Sequence, residues 1–334
     1  MKLQVIGLGN VGKSLLQLMI KKDELITLKG FDLEVVSLSD SNGTIIDDDG
    51  IDLRNILRYK NNNWLNYDRY LKGYSGLESI KDIKSDIVVE LTPSTSNGEP
   101  GLSHIKESLI LGKNVVTANK GPLVVAYNDL IKLAESNNAK LLFEATVGAH
   151  LPIFCLLRSC FCINQIINVK GILNSTTNFI ISELEQGKTF KDALDKAILS
   201  GWAETNYSDD VDGIDAARKL IILSNFIFGK NSRLNDVRVM GIRNIESMIN
   251  EAKNKRKKVK LICEIEYNSE KVMLSVSPQM ISQEDPLSTV NQGDMGVNLT
   301  FKNLGEVFIS VKYNSPLQTA YAVLNDIISI QKCN

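Results

Sequence analysis

Gly7-Leu8-Gly9-Asn10-Val11-Gly12 has the spacing GxGxxG, and its surroundings constrain the chain more than the spacing does. The apolar run "KLQVIGLG" leads into it and reads as a strand. "NVGKSLLQLMIKK" leads out of it with helical spacing, placing Val11, Leu15, Leu18 and Met19 on one side. A strand feeding a helix through a glycine turn is the first half of a βαβ unit. In that setting Gly7 permits the turn, Gly9 lets a ligand approach the backbone, and Gly12 lets helix and strand pack closely. The helix N-terminus favours an anion, so the motif predicts a dinucleotide with its pyrophosphate there.

The rest of the first half repeats the alternation. "LEVVSLSD", "SDIVVELT", "KNVVTAN" and "AKLLFEATVG" read as strands, with "SHIKESLILG" and "YNDLIKLAESNN" as helices. That order predicts a parallel sheet with helices on both faces. The second half changes character. "INQIINVKGIL" reads as a strand, and "NFIISELEQ", "FKDALDKAILSG", "GIDAARKLIILSNFIF" and "IESMINEAKNKRKKVK" read as helices. Two hairpins follow, turning at Asn268–Ser269 and at Asn303–Leu304–Gly305, and predict an antiparallel sheet. "PLQTAYAVLNDIISI" is a final amphipathic helix. The expected fold class is α/β, with an N-terminal Rossmann-type parallel sheet and a second α+β domain.

A chain of 334 residues has room for two such domains. Its formal charge of −1 offers no global field to nucleic acid or to an anionic membrane. The basic run "KNKRKKVK" reads as a solvated helix end, since no aromatic residues interleave it. No apolar run approaches the roughly 20 residues of a membrane helix, and the start does not resemble a signal peptide. Five cysteines without a CxxC pair, and only His104 and His150, argue against a zinc site. Reduced thiols point to the cytoplasm.

Two further features carry chemistry. Asp40 ends the second strand, where an acid holds the adenine ribose. It comes late, so "DELITLKGFD" reads as an excursion before that strand. Ser41 is not an arginine, yet Arg54, Arg58 and Lys60 follow within reach of a folded-back loop, so the choice of dinucleotide stays open. The second feature is "GWAETNYSDDVDGIDAARKL", in which Glu204, Asp209, Asp210, Asp212 and Asp215 crowd ahead of Arg218 and Lys219. Acids at a helix start are favoured by its dipole, which is one reading. A site for a small cation, with a lysine aimed into it, is the other. Asp215 and Lys219 share a helix face, with Asp212 expected on the same side and Ile214, Ala217, Ile221 and Phe228 opposite.

Together with "VVTANKGP" (115–122), "FEATVGAHLP" (143–152) and "GILNSTTNFI" (171–180), these stretches resemble homoserine dehydrogenase, nearly end to end and in the right order. The resemblance implies reduction of aspartate 4-semialdehyde to homoserine with NADH or NADPH, on the route to threonine and methionine. It implies a dinucleotide-binding domain of residues 1–146 plus 314–334, a substrate and dimerisation domain of residues 147–313, and a homodimer. Lys219 is then the proton donor, oriented by Asp215, with Lys120 near the reacting oxygen. Burying the homoserine ammonium requires an anionic partner, and Glu204 and Asp210 match that role, with Thr176 supplying a hydroxyl. The dinucleotide falls to Gly7, Leu8, Gly9, Asn10, Val11, Gly12, Asp40, Ser41, Lys60, Thr92, Ser94, Thr117 and Lys120. Glu144, with the carbonyls of Val147, Ala149 and Leu151, matches a sodium loop, and oxygen donors suit a hard cation.

The chain departs from the family pattern at His150, often glycine, at Ser175 in "NSTTN", and in "YNSPLQTA", which lacks a glycine-rich stretch. No appended amino-acid-sensing domain is expected. One rival is a semialdehyde dehydrogenase working through a thioester, which needs a cysteine nucleophile. Cys155, Cys160 and Cys162 lie in apolar "IFCLLRSCFC", a better setting for packing than for reaction. The other rival, a silent dinucleotide sensor, would not keep the acid and lysine residues. Cys333 is a candidate exposed thiol.

Overall fold

In a computed structural model, which describes residues 1–58, 67–203, 206–268, 271–313 and 315–332, the glycine turn joins β1 (Lys2–Ile6) to α1 (Asn10–Leu28). Lys60, Glu204, Ser269 and Cys333 lie outside the described residues. The chain divides into two compact units, residues 1–150 with 315–334, and residues 151–314.

The first unit continues with β2 (Glu34–Ser39), β3 (Gly43–Ile46), α2 (Leu53–Arg58), β4 (Tyr70–Lys72), α3 (Gly76–Asp82), β5 (Ile87–Glu90), α4 (Gly101–Ile110), β6 (Asn114–Thr117), α5 (Lys120–Ser136) and β7 (Leu141–Leu142). The sheet order is β4-β3-β2-β1-β5-β6-β7. The five strands from β2 to β7 in that order are parallel, as expected of alternating strands and helices. The order reverses between β1 and β5, and such a switch point is where open α/β sheets bind ligands.

Three details differ from the sequence reading. First, "DELITL" is no excursion: α1 runs on through it to Leu28, and this added length delays Asp40. Second, β3 and β4 extend the sheet antiparallel beyond β2. Third, the last strand is only Leu141–Leu142, because Glu144–Thr146 turns into a 3₁₀ helix. The core of this unit packs Leu15, Leu16, Leu18 and Met19 of α1 with Ala320, Val323, Leu324, Ile327 and Ile330. The latter five belong to the final helix of the chain.

The second unit comprises α6 (Ile153–Ser159), β8 (Ile166–Ile172), α7 (Ser175–Glu185), α8 (Phe190–Leu199), α9 (Ser208–Val211), α10 (Ile214–Phe228), β9 (Val237–Val239), α11 (Glu246–Asn254), β10 (Lys258–Tyr267), β11 (Val272–Ile281), β12 (Met295–Phe301) and β13 (Gly305–Val311). The returning helix, α12 (Pro316–Lys332), belongs to the first unit. Both expected hairpins form, β10–β11 and β12–β13, and β8 joins them antiparallel into one sheet, β13-β12-β8-β10-β11-β9. Among the described strands of this sheet only β9, at the edge, pairs parallel. The basic run is not all solvated helix: α11 stops at Asn254, and Lys260 is a fully buried residue of β10. Its Nζ donates to Asn178 Oδ1 (3.1 Å) and to the Val290 carbonyl (2.5 Å), and burial pushes its pKa down to about 8.

Candidate active site

The first unit presents an open glycine turn. Gly7 has φ +96°, a region that side chains avoid. A Cβ there would also lie 2.5 Å from the Leu91 carbonyl carbon, so β1 and β5 meet backbone to backbone. At Gly9 nothing lies within 4 Å of the Cβ position. No side chain caps α1, and the first amide bonded inward is that of Lys13, to the Gly9 carbonyl at 3.0 Å. An uncapped helix start beside vacant space fits a pyrophosphate. Leu8 is buried in the core and Val11 packs against it, which leaves their main chain for a ligand. Asn10 is exposed.

Asp40 follows β2 directly. Its Oδ1 accepts the amides of Asn42 (2.8 Å) and Gly43 (2.9 Å) and the hydroxyl of Tyr70 (3.1 Å). Burial, then the hydrogen bond to Asp40, pushes the Tyr70 hydroxyl up to about 12. Ser41 is exposed beside it. Arg54 lines a cleft with Glu34 and Gly50, at the opposite end of β2.

Thr92 and Thr117 belong to a buried network at the ends of β5 and β6. Glu90, fully buried, accepts the Thr92 amide (3.1 Å) and the Thr92 hydroxyl. The Thr117 hydroxyl donates to the Glu90 carbonyl (2.9 Å) and accepts the Asn119 amide (2.9 Å). Asn119 accepts the Gly121 amide (3.0 Å), capping α5, and its Nδ2 donates to Thr92 Oγ1 (3.2 Å). The network thereby fixes where α5 begins, at Lys120. Ser94 is exposed in the loop after Thr92.

The second unit gathers the acids and the lysine around a residue the sequence reading did not single out. Asn174 caps α7: its Oδ1 accepts the Thr177 amide at 2.8 Å. This leaves its Nδ2 to donate to Asp210 Oδ1 (2.6 Å) and Asp215 Oδ2 (2.9 Å). Lys219, one turn along α10, meets Asp215 at 2.7 Å and donates to the Leu173 carbonyl at 2.7 Å. The side chains of Lys219 and Asp215 are only 12% and 14% exposed. Burial opposes the charge on Lys219, but Asp215 and Asp210 override it and hold its pKa above that of an ordinary lysine. Burial first, then the charge of Asp215, raises Asp210.

The shared face is narrower than expected. Gly213, at φ +81°, turns the chain before α10, and Asp212 pairs instead with Arg243 at 2.6 Å, half exposed. Arg218 pairs with Asp209. Thr176 donates its hydroxyl to the Trp202 carbonyl (2.5 Å), tying α7 to the stretch that precedes residue 204. Ser175 opens α7 with ordinary helical backbone, so serine fits there.

In the expected cation loop, Glu144 is buried and Ala149 takes φ +57°. The Leu151 carbonyl accepts the Ile153 amide at 2.8 Å. His150 Nδ1 is buried without a hydrogen bond, and burial lowers the pKa of the ring. Cys155, Cys160 and Cys162 are exposed. Cys263 is buried and its thiol is pushed up to about 12, first by burial. A thiol in that state is a poor nucleophile. Among the described residues no helix is long and apolar enough to cross a membrane.

Residues 152–328 match the family model for homoserine dehydrogenase, and residues 7–144 match its NAD-binding domain. A homoserine dehydrogenase of Methanocaldococcus jannaschii is 35% identical over 99% of this chain and 98% of its own. An NAD(+)-dependent homoserine dehydrogenase of Pseudomonas canavaninivorans is 31% identical over 99% and 96%. Among solved structures, a putative homoserine dehydrogenase of Archaeoglobus fulgidus superposes with TM-score 0.88 at 31% identity, covering 99% of both chains. A hyperthermophilic archaeal homoserine dehydrogenase in complex with NADPH gives 0.85 at 28% identity, covering 100% of this chain and 98% of that one.

Proposed function

The chain belongs to the homoserine dehydrogenase family, and from that premise we propose how its residues divide the interconversion of L-homoserine and L-aspartate 4-semialdehyde. The protein is an NAD(P)-dependent oxidoreductase. The bound dinucleotide supplies or removes the hydride at its nicotinamide ring. Gly7, Gly9 and Gly12 admit its pyrophosphate to the start of α1, and Asp40 takes the adenine ribose.

One observation carries the substrate assignment. Asp210, Asp215 and Lys219 put two carboxylates against one ammonium in a largely buried cluster. Removing charge from water is costly unless it is balanced, so the cluster favours one further cation. The ammonium of homoserine meets that need, gripped by Asp210 with Glu204 and with the Thr176 hydroxyl nearby. Lys219 then gives a proton to the carbonyl oxygen of the semialdehyde as it becomes a hydroxyl, and takes it back in reverse. Asp215 holds Lys219 in place, and a positioned ammonium also stabilises charge developing on that oxygen. Lys120 is assigned to the reacting oxygen and the nicotinamide end of the dinucleotide. A sodium ion held by Glu144 and the carbonyls of Val147, Ala149 and Leu151 would stiffen that segment.

A homodimer completes this reading. One face of the second unit's sheet carries a polar mesh in which Glu264 meets Lys170 at 3.3 Å and accepts from Gln279 at 3.3 Å. Asn298 Oδ1 is buried beside this mesh without a hydrogen bond. A second copy laid on this face would supply a donor. The deciding experiment is homoserine-dependent reduction of NAD⁺ and of NADP⁺, followed by absorbance at alkaline pH. Turnover that needs homoserine supports the assignment; dinucleotide binding with no turnover on homoserine would replace it with a sensor.

A further inference from the structure

We propose that Tyr70 is a positioning residue that locks Asp40 against the adenine ribose, so that this protein selects NAD over NADP. The inference rests on the dinucleotide assignment above and goes beyond it, since the two relatives differ: one is named NAD(+)-dependent, the other was solved with NADPH. The local geometry supplies the argument. Three donors converge on one oxygen of Asp40, the amides of Asn42 and Gly43 and the hydroxyl of Tyr70, at 2.8, 2.9 and 3.1 Å. None of them uses Oδ2, which is left to accept from a ribose diol. A 2′-phosphate brought to the same place would meet a fixed carboxylate and be repelled.

Tyr70 reaches Asp40 because residue 43 has no side chain. A Cβ on Gly43 would lie 2.8 Å from the Tyr70 ring carbon Cζ and 2.9 Å from its hydroxyl oxygen. The strands β3 and β4 thus bring a tyrosine across a glycine to a carboxylate at the end of β2. The Tyr70 proton is retained up to about pH 12, so the hydroxyl stays a donor at any working pH. The described cations nearby do not reverse the sign. Arg54 sits at the far end of β2 and Arg69 pairs with Asp47. Lys72, exposed and two residues beyond Tyr70 on the same face of β4, and Arg58, exposed at the end of α2, are rivals among the described residues.

Calorimetric titration of NADH and NADPH, without homoserine, tests this in the wild type, Tyr70→Phe and Asp40→Ser. NADH is expected to bind at least about 10-fold more tightly than NADPH. Loss of one hydrogen bond in Tyr70→Phe should weaken NADH by about 3- to 10-fold and leave NADPH nearly unchanged. Asp40→Ser should abolish the preference. Equal weakening of both dinucleotides by Tyr70→Phe would reduce the tyrosine to a fold support and overturn the proposal. Tighter NADPH binding by the wild type would overturn it too, with Lys72 or Arg58 as the receiving cation. A protein that oxidises homoserine yet prefers NADPH loses only this inference; one that binds neither dinucleotide loses the cofactor assignment itself.

Discussion

Asp210 and Asp215 are held by a single amide nitrogen, Asn174 Nδ2, at 2.6 and 2.9 Å. The other end of the same side chain caps α7. One residue therefore couples the start of a helix to the spacing of two buried acids. Asn174→Asp separates the two functions, because aspartate also caps helices well. The variant should keep the helix cap but lose stability at neutral pH, where a third buried carboxylate faces the acid pair without the Asn174 donor. A third carboxylate should raise the acid pair further, so homoserine binding is lost at a higher pH on acidification. The pH profile of the homoserine KM, compared with thermal unfolding, checks both parts.

Lys219→Ala should retain dinucleotide affinity, since the glycine turn belongs to the other unit. Removal of a positioned acid–base group typically costs about 10²- to 10⁴-fold in rate. Single-turnover rates of semialdehyde reduction, measured beside NADH titration, read the two separately. Turnover within a few-fold of wild type would remove Lys219 from the chemistry.

Asp210→Asn trades function for stability. The folded pKa of Asp210 is raised, so the native state holds this proton more tightly than the unfolded chain does. Stability therefore falls as pH rises from the unfolded pKa through the folded one, and the ionised group is a liability above that window. Asp210→Asn should melt at a higher temperature at neutral pH and lose the pH dependence contributed by this group. It should also bind homoserine more weakly by roughly 100-fold, about 3 kcal/mol, the low end of what breaking a buried charge pair costs. Calorimetric melting and KM for homoserine must move in opposite senses for the charge argument to hold.

Gly9→Ala and Gly7→Ala should fail in different ways. Space is open at Gly9, so its variant should fold normally and lose dinucleotide affinity, by about 10-fold or more if the pyrophosphate lies against the backbone. At Gly7 a Cβ collides with Leu91 and the φ is left-handed, so that variant should be destabilised by more than about 1 kcal/mol. Urea melts and NADH titrations of the two variants distinguish these outcomes.

Alkylation of the native protein should label Cys155, Cys160 and Cys162, spare Cys263, and leave turnover intact. Mass spectrometry maps the labels. Inactivation matched one-to-one with a label would restore the thioester chemistry.

The legible parts of this molecule were those with a period or a spacing. Alternating apolar runs reported the parallel sheet, and the four-residue step from Asp215 to Lys219 reported the ion pair. What escaped was set by tertiary context. Strands β3 and β4 are short, and "GTII" and "YLK" lack the length that reveals alternation. Asp212 shares the helical spacing of Asp215, but a left-handed glycine between them breaks the helix. Asn174 reads as an ordinary cap until folding carries residues 210 and 215 to its free end. The basic run concealed a buried lysine because charge alone does not report which residues enter a strand.

The last helix gives the order of synthesis a physical consequence. Side chains of α12 complete the core around Leu15 and Leu16, yet they leave the ribosome after the whole second unit. The nascent first unit must wait with an apolar flank open to water, and chaperones have their longest opportunity to bind it there.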